Sequence, residues 1–349
     1  MNKLVSIVII NYNGKDYLKK CVSSILKNRY QNFEIIVVDN ASSDGTAEML
    51  KENFGALGRL KVISLDKNYG PSRARNEGVK ISSGSIIGFL DNDTEVDPDW
   101  IINALKYFTN DEKVGALQCK LLLLEDPRKI DYAGEYISQL GFLVHVAPYG
   151  TQDSGQYDKN NEILAAKSAG MFIRKDVFDK IGGFDEDYFI FVEETDLGWR
   201  VWLASHKIIF AFDSKVFHHF SATKLIVNKK FNNYLVRFHG TKNYIMTLYK
   251  NLSLGKMMII LPRHIFLWFG LAGYLFLKGN FDSAGNILRA IGWNLKNYPR
   301  NRRKRKKIQK ERLISDKELF LKICRKRGLF YYVKNFRDSQ KQLITPENQ

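Results

Sequence analysis

The first 125 residues alternate between short apolar runs and longer segments in which apolar side chains recur at helical spacing. Runs of strand length occur at 5–10, 33–38, 61–65, 85–90 and 114–123. Helical segments are predicted at 17–26, after the capping residues 43–46, at 71–81 and at 98–108. Regular alternation of strand and helix predicts βαβ units with right-handed crossovers, and therefore an α/β fold with a mostly parallel central sheet.

Polar side chains follow directly after three of these apolar runs. Asn11 and Asn13 come after the first run, Asp39 after the second, and Asp91-Asn92-Asp93 after the fourth. Open parallel sheets bind ligands at the carboxyl ends of their strands. The pattern therefore predicts a nucleotide site at this edge of the sheet, although ordinary turn chemistry also explains Asn13.

The pattern is less regular from about 126 to 165. Short aromatic and glycine-containing runs in this region indicate small strands and loops. A strand is predicted again at 165–173 and a helix from about 193 to 204, followed by two edge strands at 207–212 and 216–220.

The chain carries an excess of positive charge, and about half of it is concentrated near the C-terminus. The chain has 349 residues, 45% of them hydrophobic, so it can bury a substantial core. Its formal net charge is +17, and about half of the excess lies in residues 300–312, with nine basic side chains and one acid. A basic segment of this kind does not by itself indicate a nucleic-acid-binding domain. Three scattered cysteines fit a reducing cytoplasm, and the short apolar run after Met1 is not expected to be a signal peptide.

The C-terminal third has a different pattern. Residues 228–250 carry apolar and aromatic side chains at mixed helical spacing, and apolar runs follow at 257–261 and 265–277. The longer run has 13 residues, whereas a membrane-spanning helix needs about 20, and Pro262-Arg263-His264 separates the two. We expect helices that lie on a membrane or dip into it, beside a basic segment drawn to anionic lipid. A packed helical hairpin with a solvated charge run explains the pattern equally well.

Several motifs occur in a characteristic order along the chain. They are VSIVIINYN at 5–13, IVVDNASSDGT at 36–46, NYG and ARNEG within 68–78, FLDNDT at 89–94, GGFDE at 182–186 and EETDLGWR at 193–200. In this order and spacing they resemble family 2 glycosyltransferases of the GT-A fold, especially rhamnosyltransferase-like members. The resemblance covers roughly residues 4–250. It implies a catalytic domain over 1–225, with a nucleotide-sugar half to about 125 and an acceptor half from about 126, and a helical, basic extension over 226–349.

The resemblance also implies nucleotide contacts. Asp39 would accept a hydrogen bond from the imide N–H of the base, a group that uracil and thymine share. The other residues expected at the nucleotide sugar are Asn11, Asn13, Asn76, Asp91 and Asn92. Arg73 and Arg75 lie on different faces of the helix over 71–81, so at most one of them is expected to reach the ligand.

A divalent cation is expected beside these residues. A sugar diphosphate carries charge that must be neutralised as it leaves, and Mg²⁺ or Mn²⁺ does this with few protein carboxylates. The resemblance implies that Asp93 is the direct ligand and that Asp91 is its nucleotide-facing partner. His218 matches a histidine that binds the metal in many members of the family, although a lone histidine is as often structural.

Three acids, Glu193, Glu194 and Asp196, lie near the start of a predicted helix. Helix-end electrostatics favour carboxylates there, but three are more than this requires. In an inverting transfer, one carboxylate takes the proton of the acceptor hydroxyl. The family usually has Glu-Asp where this chain has Glu193-Glu194, so the alignment assigns the base to Glu194 and leaves Glu193 as the second candidate.

These features predict an inverting, metal-dependent glycosyltransferase of polysaccharide biosynthesis. It would move a hexose, with rhamnose as one candidate, from a UDP- or dTDP-sugar to a glycan or lipid-linked acceptor of the cell envelope. We expect it in the cytoplasm, in peripheral contact with the inner face of the membrane and without a nucleic-acid partner. Two alternatives stay open. A nucleotidyltransferase would normally carry a glycine-rich phosphate loop where this chain has residues 11–15, and a nucleic-acid-binding protein acting through 300–312 would need base-stacking aromatics, which that run lacks.

Overall fold

The computed structural model describes residues 3–159, 161–219, 234–328 and 330–332. These residues form two compact units. Unit 1 contains the described residues up to Glu135, His145–Phe189, and those from Glu193 to 219. Unit 2 contains Tyr136–Val144, Ile190–Val192 and the described residues from 234 onward. The candidate site residues all belong to unit 1.

The strands of the chain are numbered in order. They are β1 (Val5–Asn11), β2 (Phe33–Asp39), β3 (Leu60–Ser64), β4 (Ile86–Asp91), β5 (Thr94–Val96), β6 (Val114–Leu123), β7 (Lys129–Tyr132), β8 (Glu135–Ile137), β9 (Leu143–His145), β10 (Thr151–Gln152), β11 (Met171–Arg174) and β12 (Lys207–His218). Ten of them form one sheet in the order β10-β7-β6-β11-β4-β1-β2-β3, with β12 paired to β6 and β5. Strands β8 and β9 pair with each other.

The helices of unit 1 connect these strands. They are α1 (Lys15–Leu26), α2 (Thr46–Phe54), α3 (Pro71–Lys80), α4 (Trp100–Asn110), α5 (Lys175–Ile181) and α6 (Glu193–Leu203). Strands β3, β2, β1 and β4 are parallel neighbours, which is the arrangement that the alternating pattern predicts. The other half of the sheet is mixed, because β11 runs antiparallel to β4 and β6.

Strands β1, β2 and β4 are buried on both faces, which explains their continuous apolar runs, whereas the edge strand β3 is largely exposed. On one face Leu18 and Ile25 of α1 pack in the same core cluster as Ile7 of β1. On the other face α3 approaches so closely that a Cβ at Gly78 would lie 2.4 Å from Cγ1 of Val8. A glycine at this position therefore allows the helix to pack directly on the strand.

The prediction of two edge strands at 207–212 and 216–220 was wrong. The structure has one strand, β12, which pairs with β6 along its length and with β5 near its end, and residue 220 lies outside the described residues. The register against β6 shifts between Ala211 and Lys215. Ser214 in this irregular segment is buried and donates to the backbone carbonyl of Trp100 at 2.9 Å. A short polar stretch inside a bulged strand therefore resembles a strand boundary in the sequence.

Unit 2 is mainly helical in its described residues. Its helices are α7 (Gly240–Asn251), α8 (Leu254–Leu277), α9 (Phe281–Lys296), α10 (Tyr298–Glu311) and α11 (Asp316–Ile323). A small core cluster joins α7, α8 and α9 and includes Phe142, Trp268 and Ile287. Residues 228–233 of the predicted mixed helical stretch lie outside the described residues.

Helix α8 is continuous, whereas the sequence has two apolar runs separated by Pro262-Arg263-His264 and predicted separate helices. Pro262 lies inside it, and His264 is fully buried. The His264 ring is 2.8 Å from the carbonyl oxygen of Leu140 and accepts a hydrogen bond from Nε1 of Trp268 at 2.9 Å. Both ring nitrogens are therefore satisfied inside unit 2, so this polar side chain is buried without an unpaired group. In the part of the chain that the structure describes, α8 is the one helix long and apolar enough to cross a membrane, and a third of its most apolar stretch is buried.

The basic segment forms a helix with two different faces. Arg305 donates to the carbonyl oxygen of Leu252 at 2.6 Å, and Gln309 donates to that of Lys250 at 2.9 Å. These contacts satisfy carbonyls at the C-terminal end of α7, which lack partners within their own helix. The exposed face of α10 is a basic stripe, formed by Arg302, Arg303, Lys306, Lys307 and Lys310.

Candidate active site

The carboxyl ends of β1, β2 and β4 bring three polar segments together. The parallel register pairs Asn11 with Asp39 and places Asp91 beside the end of β1. The buried Nδ2 of Asn11 donates to Oδ1 of Asp39 at 3.0 Å, and Oδ1 of Asn11 accepts from Nδ2 of Asn92 at 2.6 Å. A Cβ at Gly14 would lie 2.0 Å from that Asn92 nitrogen. Any larger residue here would have to displace the Asn92 amide from this linked set of polar side chains.

Two of the residues predicted to contact the nucleotide form hydrogen bonds with backbone groups of nearby loops. Asn13 has a φ of +51°, and its Oδ1 accepts from the backbone N–H of Ser43 at 2.8 Å. Asn76 accepts from the backbone N–H of Phe184 and donates to its carbonyl, both at 2.9 Å. This geometry favours turn formation for Asn13 and loop positioning for Asn76 over a direct contact with a nucleotide.

Strand β12 brings His218 to the acidic cluster. His218 pairs with Thr94 across the β12–β5 ladder, and its Nε2 lies 3.5 Å from Oδ1 of Asp93. On the other side of the ring, Nδ1 lies 2.8 Å from Oδ2 of the buried Asp131. Burial lowers the pKa of His218, but the hydrogen bonds to Asp131 and Asp93 outweigh it and raise the pKa to about 10.

The Asp93–His218 pair fits a divalent cation that also binds its substrate. In metal sites, a ligating histidine usually gives its other N–H to a carboxylate, which is the role Asp131 can play here. Among the residues that the structure describes, no three His, Cys, Asp or Glu side chains converge closely enough to hold a metal by themselves. Mg²⁺-type sites at phosphates commonly use one or two protein ligands, with substrate oxygens and water completing the shell.

Arg75 connects Asp91 with the acids of α6. The arginine is buried, and its guanidinium lies 2.9 Å from Oδ1 of Asp91, 3.3 Å from Oε1 of Glu193 and 3.9 Å from Oε1 of Glu194. Burial lowers the pKa of Arg75, but the charges of these carboxylates raise it above its ordinary value. One buried cation therefore holds Asp91 and the acidic pair in a single network.

The two glutamates differ in burial and in their hydrogen-bond partners. The Glu193 side chain is 5% exposed, and burial together with the charge of Glu194 raises its pKa to about 8. The Glu194 side chain is 19% exposed, and its Oε1 accepts from both the backbone N–H and the hydroxyl of Ser168. Burial and the neighbouring charge therefore favour the protonated form of Glu193, and Glu194 is the more accessible of the two side chains.

Asp196, the third acid of α6, has a structural role. It is fully buried and accepts hydrogen bonds from Nε of Arg200 at 2.9 Å and from the Tyr188 hydroxyl at 3.2 Å. Arg200 in turn donates to the carbonyl of Gly183 at 2.7 Å. These bonds hold the 183–188 loop against α6.

Sequence reasoning missed three residues of this site. The sequence does not distinguish Arg75 from Arg73 as a ligand contact, because helical spacing does not show which face of α3 is buried. Asp131 lies on a short strand inside the irregular region, and Ser168 lies in a single 3₁₀ turn. No local pattern distinguishes either residue from an ordinary surface position.

A family model described as "Glycosyl transferase family 2" matches residues 6–182, just over half of the chain. The chain belongs to glycosyl transferase family 2. Among curated relatives, it is 30% identical over 227 residues to the O-antigen biosynthesis protein RfbC of Myxococcus xanthus, covering 63% of this chain and 18% of that one. It is 26% identical over 222 residues to glycosyltransferase AglE of Haloferax volcanii, covering 60% and 64%. The chain therefore spans less than two thirds of the length of these relatives.

Solved structures show the same fold. S. aureus TarS 1-349, in complex with UDP-GlcNAc, superposes with a TM-score of 0.55 at 18% identity, covering 82% of this chain and 79% of that one. The mannosyltransferase PcManGT from Pyrobaculum calidifontis, in complex with GDP-Man and Mn²⁺, gives 0.52 at 16% identity, covering 85% and 76%. The predictions of the family and of the fold class are confirmed.

Proposed function

We propose that this chain is an inverting glycosyltransferase that moves a hexose from a nucleoside-diphosphate sugar to a glycan or lipid-linked acceptor. The observation that carries the proposal is the arrangement of the site in unit 1. A nucleotide cradle around Asn11 and Asp39 shares one sheet edge with the Asp93–His218 pair, and Arg75 links that edge to Glu194. We place the catalytic domain at 1–225 and the extension at 226–349, since the whole site belongs to unit 1.

Different residues of the site bind the base and the cation. Asp39 accepts a hydrogen bond from the base, and its linkage to Asn11 and Asn92 fixes its orientation. Asp93 and His218 hold Mg²⁺ or Mn²⁺, with Asp91 as the nucleotide-facing partner. When bound, such an ion supplies the positive charge that neutralises the departing diphosphate.

Glu194 is the proposed general base. It takes the proton of the acceptor hydroxyl as the hydroxyl oxygen attacks the anomeric carbon and the bond to the diphosphate breaks. Ser168 donates to one carboxylate oxygen and so fixes the side-chain orientation. Glu193 is less suited to this step, because it is almost fully buried and its raised pKa favours the protonated form.

The donor and acceptor are proposed by class. TarS with UDP-GlcNAc and PcManGT with GDP-Man and Mn²⁺ support a nucleotide sugar and a divalent cation. We propose a UDP- or dTDP-hexose, with dTDP-rhamnose among the candidates. RfbC is named for O-antigen biosynthesis, which supports a cell-envelope glycan as acceptor. We propose that the enzyme acts in the cytoplasm.

The test is a panel of UDP-, dTDP- and GDP-sugars, measured by metal-dependent hydrolysis and by thermal stabilisation. Glu194→Gln should keep donor-induced stabilisation while turnover falls by about 10²–10⁴-fold, the usual effect of losing a general base. The matched variant Glu193→Gln should retain most turnover. Loss of turnover in Glu193→Gln alone would assign the base to Glu193, and no response to any nucleotide sugar would reject the proposed function.

We also propose that unit 2 binds the surface of an anionic membrane peripherally. Helices α8 and α9 expose large apolar side chains, including Phe266, Phe276, Leu277 and Leu295. The basic stripe of α10 supplies the second attraction, worth roughly 1 kcal/mol per charge near an anionic surface. Apolar contact combined with a basic patch is a common basis for reversible membrane binding.

Vesicle sedimentation tests this part of the proposal. Binding to vesicles with anionic lipid should weaken as ionic strength rises, and Arg302→Gln combined with Lys306→Gln should release much of the protein. Binding that ignores salt and resists alkaline extraction would instead indicate a membrane-spanning helix. Absence of binding at every salt concentration would show that these helices serve another packing role.

A further inference from the structure

The segment immediately before the acidic pair has an unusual backbone. Phe191 and Val192 both adopt left-handed conformations, with φ of +69° and +67°. Residues with a Cβ rarely adopt this conformation, and a β-branched residue such as Val192 is a marked exception. Such a conformation persists only where surrounding contacts hold it.

One buried side chain provides such contacts within unit 2, to which Ile190–Val192 also belongs. Asn243 lies on α7 and is fully buried. Its Nδ2 donates to the carbonyl oxygen of Ile190 at 2.8 Å and to that of Phe191 at 2.7 Å. Both hydrogens of the amide are used, so a single side chain fixes two successive peptide groups. A carboxylate or an apolar side chain at this position could not make either bond.

The next residue in the chain is Glu193, the first residue of α6, and it is followed by Glu194. The φ and ψ angles of Phe191 and Val192 therefore set the direction in which α6 begins. A change in the conformation of these two residues would alter the backbone that leads directly into the first turn of the helix, which carries the acidic pair.

We infer that Asn243 is a positioning residue for catalysis, which holds the strained Phe191–Val192 segment so that Glu194 is correctly placed for proton abstraction. The inference rests on the proposed function, because it takes Glu194 as the base. It assigns a catalytic contribution to a residue of the helical extension that acts through the backbone before α6 and not through contact with donor or acceptor.

The principal test is Asn243→Asp, which keeps the shape of the side chain and removes both donors. We expect kcat to fall by about 10- to 100-fold, since a misplacement of about 1 Å can reduce the rate by about 10²-fold. The apparent KM for the nucleotide sugar should change less than about twofold. The control is Asn251→Ala, another fully buried asparagine of the same helix, whose side chain donates to the carbonyl of Thr247.

A second variant separates positioning from a general loss of stability. Glycine tolerates positive φ without a steric penalty, so Val192→Gly should recover part of the lost kcat in the Asn243→Asp background. Hydrogen exchange of a peptide spanning residues 188–196 should rise in Asn243→Asp and remain unchanged in Asn251→Ala.

The outcomes are distinguishable from failure of the proposed function. If the wild type transfers no sugar, the proposed function fails before the variants are compared. If the wild type is active and Asn243→Asp keeps its kcat, the positioning role is rejected. Equal losses of kcat in Asn243→Asp and Asn251→Ala, with no recovery by Val192→Gly, would also reject it, because they would indicate a purely structural effect.

Discussion

Replacing Glu193 by glutamine removes a titratable group from the site while it keeps the shape of the side chain. In the folded protein, burial and the charge of Glu194 raise the pKa of Glu193 from 4.5 to about 8. A carboxyl with a raised pKa binds its proton more tightly in the folded state than in the unfolded state. Its contribution to stability is therefore fully present below pH 4.5 and is lost as the pH rises through about 8.

The size of the effect follows from these two values. One pKa unit corresponds to about 1.36 kcal/mol, so the wild type should lose on the order of 4 kcal/mol relative to Glu193→Gln between about pH 5 and about pH 9. The assay is urea denaturation of both proteins at several pH values across that range. Glu48→Gln on the exposed surface of α2 is the matched control and should show no such trend. If the difference in unfolding free energy between wild type and Glu193→Gln stays constant with pH, the assigned protonation of Glu193 is wrong.

The remaining predictions concern the metal pair, the nucleotide cradle and the basic helix. Asp93→Ala should abolish turnover and the metal dependence of nucleotide binding while circular dichroism stays unchanged; wild-type activity would remove Asp93 from the metal site. Gly14→Ala should weaken nucleotide binding, measured by calorimetry, because the added Cβ would displace the Asn92 amide; unchanged affinity would show that the cradle adapts. Arg305→Ala should lower the free energy of unfolding by about 1–3 kcal/mol, since it leaves buried carbonyls without donors, whereas Arg302→Ala on the exposed stripe should have little effect; equal thermal shifts would contradict the assigned faces.

Local patterns in the sequence were sufficient for the parallel half of the sheet and for the polar side chains at the carboxyl ends of its strands. Apolar runs of strand length indicate buried strands, and the polar residues that follow them must lie at the carboxyl ends. Asn11, Asp39 and Asp91 could therefore be placed near one another from the linear chain alone. The family followed from motifs in a fixed order, because each motif is local and can be recognised without knowledge of its spatial neighbours.

Contacts between side chains that lie far apart in the sequence could not be predicted from local patterns. Arg75 meets Glu193 across 118 residues, and Asp131 meets His218 across 87. Periodicity shows that a helix has a buried face, but it does not show which charges that face will meet. Electrostatic partners depend on how elements cross in space, so the network around Arg75 could be seen only in the folded chain.

The C-terminal helices show the same division. The sequence determined that residues 257–277 are largely apolar and that 300–312 are basic. Only the tertiary structure showed that α8 continues through Pro262 and that Leu140 and Trp268 satisfy the ring of His264 inside unit 2. It also decided which face of α10 is basic and exposed, because Arg305 and Gln309 turn inward to the last carbonyls of α7. A polar side chain can be buried on an apolar helix only where partners satisfy its hydrogen bonds, and those partners are determined by the packing of the whole unit.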